Sequence, residues 1–82
     1  AGAIRLVVTG ISSFSQANEI LSAVQHTSRV SEARMTGYEG GTATIELKSL
    51  DSPKTFAGLL SRTGLQIRIQ GISANTVTAE AY

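Results

Sequence analysis

Alternation of period two, handed on twice to a helical spacing, constrains this chain more than any other feature. Ile4, Leu6 and Val8 alternate with Arg5, Val7 and Thr9, the pattern of a strand with one buried face. Gly10 closes the run. Phe14, Ala17, Ile20, Leu21 and Val24 then recur at helical spacing and make one apolar stripe. Ser13, with Gln16 three residues on, matches a capping box for that helix, which should run to His26 or Thr27. The clearest alternation sets Ala43, Ile45 and Leu47 against Thr44, Glu46 and Lys48. After it, Asp51-Ser52-Pro53 opens a second helix. Ser52 can cap the free amides, and Pro53 takes the first helical position, where its missing N–H costs nothing. Phe56, Leu59 and Leu60 face inward, and Gly64 is placed to end the helix as a left-handed cap.

Between the first helix and the clearest strand, Val30, Ala33 and Met35 mark a strand starting near Arg29. The three-residue step from Val30 to Ala33 breaks strict alternation and predicts a bulge or a late start. Tyr38-Glu39-Gly40-Gly41 reads as the turn, its glycines supplying the positive φ angles of a tight hairpin. A last strand alternates Leu65, Ile67 and Ile69 with Gln66, Arg68 and Gln70. Beyond it, Asn75-Thr76-Val77-Thr78 reads as a short strand extension or a tail.

The chain is thus expected to be one α+β domain over residues 1–82, with strands at about 3–9, 29–37, 42–48 and 65–71 and helices at about 13–27 and 53–63. Two strand–helix–strand halves predict a ferredoxin-like split βαβ sandwich, a four-stranded antiparallel sheet with both helices on one face. A short internal echo fits two halves: Val8-Thr9-Gly10-Ile11-Ser12 and Ile69-Gln70-Gly71-Ile72-Ser73.

Composition narrows the function. With 82 residues and no cysteine, the core is thin and neither a disulfide framework nor a thiolate metal site is available. Seven basic residues against six acidic, a net charge of +1, is not the excess that nucleic acid demands. Ser and Thr are abundant and lysine is confined to Lys48 and Lys54, a weakly charged polar surface that leans towards a periplasmic or other extracytoplasmic setting. No apolar run approaches the roughly 18 residues of a membrane span. Ala1-Gly2-Ala3 lacks the charged start of a signal peptide. The expectation is an excised or mature domain of a larger protein, without direct membrane insertion.

Catalytic chemistry finds no constellation to work with. His26 is the lone histidine and falls near a helix end, where a structural role outweighs acid–base work that needs a positioned partner. The six acidic residues are scattered, so no metal or paired-carboxylate site is expected. Gly40-Gly41 joins two strands, not a strand and a helix, and is no phosphate loop. Ser12, Ser13 and Ser15 read as capping residues, since a nucleophile would need a base. No enzyme activity, cofactor or metal is expected.

The sheet face turned away from the helices is the remaining candidate. Its expected members include Arg5, Val7, Arg34, Glu46, Lys48 and Arg68, with Arg5, Val7, Glu46 and Lys48 on the central strands and Glu46 pairing with Arg34 or Arg5. RNA-recognition domains share the topology but stack bases on aromatics there. Here Phe14 and Phe56 read as core residues and Tyr38 as a turn residue, so nucleic acid is not the expected partner.

The same topology occurs in ACT and metal-carrying HMA domains. The HMA comparison fails for want of Cys-x-x-Cys. Gly10, Ser12 and Ser13 sit where ACT domains place their ligand loop, which would imply a small-molecule effector and dimerisation. The stretch from Val30 to Leu47, centred on Glu39-Gly40-Gly41-Thr42-Ala43-Thr44-Ile45, resembles small αβ modules of bacterial cell-envelope and secretion-ring proteins. That resemblance implies a non-catalytic assembly module. The leading expectation is therefore a protein-interaction module of a larger, envelope-associated protein, able to bind another protein, a neighbouring domain or a second copy. The alternative is an ACT-like regulatory domain.

Overall fold

The computed structural model describes residues 2–27, 30–62 and 67–82. Their elements run β1 (Gly2–Thr9), α1 (Phe14–Gln25), β2 (Val30–Glu39), β3 (Thr42–Ser49), α2 (Pro53–Ser61), β4 (Ile67–Ile72) and β5 (Thr76–Ala81). The strands form one five-stranded sheet in the order β2-β3-β1-β5-β4. β1 is antiparallel to β3 and parallel to β5, while β2–β3 and β4–β5 are antiparallel hairpin pairs.

This corrects the four-stranded antiparallel ferredoxin-like sandwich. In that arrangement the strand after α2 would pair with β1. Here it lies one place further out, and β5 occupies the position between them, making the sheet mixed. The residues read as an extension or a tail are thus an interior strand. Val77, Ala79 and Ala81 turn to the buried face, while Thr76, Thr78 and Glu80 alternate with them. Two of the three inward side chains are alanine, so the apolar signal of β5 is faint. Small side chains suit that place, because α2 packs over β4 and β5 and brings its own Ala57 into the core.

The other elements follow from local rules. Ser13 caps α1, its Oγ accepting from the Gln16 N–H at 3.2 Å. Gln16 reaches back to Ser12, and its Oε1 accepts from both the Ser12 N–H and Oγ at 2.9 Å. Ser52 caps α2 by accepting from Thr55 N–H at 3.4 Å, with Pro53 in the first turn. Gly40 and Gly41, at φ 58° and 79°, make a two-residue turn of the kind that right-twisted strands favour. Tyr38 and Glu39 therefore belong to β2 and not to the turn.

The core forms where Ile4, Leu6, Val8, Ala43, Ile45, Leu47 and Val77 of the sheet meet Ala17, Ile20, Val24, Phe56 and Leu60 of the helices. Phe14 is the exception to the expected stripe. It stands at the first turn of α1, 55% exposed, and meets Tyr38 edge-on at 5.5 Å between centroids. The irregularity foreseen in β2 is present between Val30 and Glu32, and a second lies between Met35 and Gly37. The expected strand start at Arg29, the Gly64 cap and the positions of Leu65 and Gln66 lie outside the described residues.

Candidate functional site

Alternation along each strand sends one set of side chains to the helices and the other to the opposite face. The helices occupy the first, so among the described residues the second is left open. Strand pairing places its members in rows. Val7 of β1 lies between Thr44 of β3 and Thr78 of β5, all three half-buried. Since β1 is the middle strand, Arg5 and Val7 together mark the centre of the face. β1 and β3 are both interior as expected, and β5 joins them there.

One row nearer the start of β1, Arg34, Glu46, Arg5 and Thr76 follow one another across four strands. The Arg5 guanidinium lies 3.6 Å from the Glu46 carboxylate, with 59% and 43% of their side chains exposed. Such a pair contributes about 0–1 kcal/mol and weakens with salt. Lys48 faces Ala3 on one side and Glu32 on the other. A shallow depression of about 200 Å³ lies beside Arg5, lined by Ala3, Glu46, Asn75 and Thr76 among others.

Towards the other end of the face Arg68 faces Glu80, and Thr9 faces Glu80 from β1. Gln70 donates to Glu80 at 3.1 Å. The Arg68 guanidinium also stands 5.5 Å from the centre of the Tyr82 ring, a cation–π contact that holds Arg68 near the chain end. The fold thus brings Arg5, Val7, Arg34, Glu46 and Lys48 together and sets Arg68 at the far end of the same surface. Thr78 and Glu80 join this face beyond the members expected from the sequence. The alternation from Thr76 to Ala81 was the signal available for them.

The loop formed by Gly10, Ser12 and Ser13 is at the exit of β1. Gly10 has φ 73°. The Ser12 N–H and Oγ and the Ser13 Oγ are engaged with Gln16 in the cap of α1. His26 closes the other end of α1, its Nδ1 2.7 Å from the Ser22 carbonyl, so the ring donates there. A groove of about 480 Å³ runs between α1 and β2, lined by Phe14, Leu21, Met35 and Tyr38 with Gln25 and Arg34 at its rim. Among the described residues no helix is long and apolar enough to cross a membrane, and no three His, Asp or Glu side chains gather as a metal site would need.

Comparisons with protein families, curated proteins and solved structures return no match.

Proposed function

We propose that this domain is a non-catalytic protein-binding module of a larger, envelope-associated protein, docking through its open sheet face onto a neighbouring protein or domain. The observation that supports this most is the anatomy of the face. Its middle carries an uncharged row, Thr44-Val7-Thr78, directly beside the Arg5–Glu46 pair, with Lys48 and Arg68 further towards the two ends. Protein interfaces likewise combine an apolar patch with polar and charged groups that hydrogen-bond across it. A partner covering Val7 displaces water from uncharged groups, while Arg5, Glu46, Arg34 and Arg68 set its orientation. Cations and anions interleave on the face, which suits a partner surface of mixed charge. The envelope setting rests on the weakly charged composition and the resemblance of residues 30–47.

The test uses the intact parent protein in its native cells, with a photocrosslinking residue at Val7 or, as control, at exposed Lys54 of α2. A discrete crosslinked product from Val7, absent from Lys54 and diminished by Arg5→Glu, is the expected result. Identical products from both positions, or none from Val7, would overturn the reading.

A further inference from the structure

We infer that the β2 edge is built to pair with β2 of a second copy of this chain, antiparallel, about a two-fold axis at Ala33. β2 is an outer strand of the sheet. The direction of its backbone is fixed by one hydrogen bond: Gln25 Nε2 of α1 donates to the Ala33 carbonyl at 3.1 Å, so that carbonyl points off the edge. Antiparallel residues alternate between those bonded to the neighbouring strand and those turned away. Glu32 and Arg34, opposite Lys48 and Glu46, therefore bond towards β3, and Ala33 offers its N–H and C=O to an incoming strand. Its carbonyl oxygen has a second lone pair for that strand while Gln25 keeps the first.

Charge selects the occupant and the register. Glu32 and Arg34 are both exposed on the open face. With the axis at Ala33, Glu32 of each chain stands opposite Arg34 of the other, twice over, in the non-hydrogen-bonded position where side chains come closest. Moving the axis to Glu32 or to Arg34 sets like charges face to face, and a parallel approach in register does the same. Charges on an edge strand usually deter pairing. This order, negative then positive two residues on, is instead complementary to itself under a two-fold rotation. The inference concerns the β2 edge and shares only Arg34 with the docking face; Glu32 and the Ala33 backbone belong to the edge alone.

The experiment is sedimentation velocity over a concentration series at low ionic strength, on the wild-type chain, Glu32→Arg and Arg34→Glu, with circular dichroism to confirm folding. The wild-type chain should dimerise, and each variant alone should associate at least about tenfold more weakly, since two attractive cross-strand pairs become repulsive. Mixing the two variants should restore a one-to-one dimer, because a chain positive at both positions then faces one negative at both. Any effect of a substitution within its own chain is the same alone and mixed, so the mixture isolates the contact between chains. A wild-type chain monomeric up to millimolar concentration, a dimer indifferent to both substitutions, or a mixture no tighter than its components would each overturn the inference.

Discussion

A Cβ placed on Gly10 would lie 2.9 Å from the carbonyl oxygen of Ala81. The end of β1 and the end of β5 are held that close because the two strands run parallel as neighbours, with Thr9 opposite Glu80. Gly10 also has φ 73°, in the left-handed region that side chains avoid. Gly10→Ala should destabilise the fold by about 2–4 kcal/mol, from backbone strain and the push against β5 together. Gly40→Ala, with nothing within 4 Å of its added Cβ, should cost only about 1–2 kcal/mol for its φ. Urea unfolding of both variants checks the difference, and equal losses would contradict the close approach.

β5 carries the second prediction. Val77 and Ala79 are fully buried, and removing their strand leaves one edge of β1 without its partner. A chain ending at Ser73 should lose its cooperative thermal transition in calorimetry. Val77→Ala, a gentler change, should cost about 2 kcal/mol through lost burial and the space left behind. A truncated chain that still melts cooperatively near the original temperature would mean β5 is dispensable.

At the start of α1, Ser13→Ala removes the acceptor for the Gln16 N–H and should cost about 1 kcal/mol, whereas Ser13→Asp should be nearly neutral. Gln16→Ala frees the Ser12 N–H and hydroxyl where water can reach them, and its loss should be smaller. Chemical denaturation ranks the three variants.

The Phe14–Tyr38 contact predicts a coupling without a large stability effect. Both rings are part-exposed, at 55% and 36%, and their edge-on contact should give about 0.5–1.5 kcal/mol in a double-mutant cycle. Phe56→Ala, at a fully buried site, should cost about 3–5 kcal/mol. If Phe14→Ala matched that loss, Phe14 would be a core residue after all.

Much of this protein was legible from its residues because the relevant interactions are local. The alternation of Ile4 to Val8 and of Ala43 to Leu47 is a property of consecutive residues, and both runs became strands with the expected face buried. Ser13, Ser52, Pro53 and the Gly40-Gly41 turn act within a few residues of themselves. The open face, with Arg5 beside Glu46, followed from that same alternation once the strands were paired.

Strand order was a different matter. Whether β4 or β5 lies against β1 depends on which pairing buries more and fits better under α2, a contest between segments some seventy residues apart. Thr76 to Ala81 has a weak apolar pattern because Ala79 and Ala81 are small, and that smallness only makes sense beneath a helix. Phe14 obeys the helical period yet is left outside the core, its ring set edge-on against Tyr38 beyond the second irregularity of β2. Local sequence determined the elements and their buried faces through short-range sterics and solvation. Tertiary packing decided the place of β5, the exposure of Phe14 and the side chains that share the open face, because each depends on contacts between segments distant along the chain.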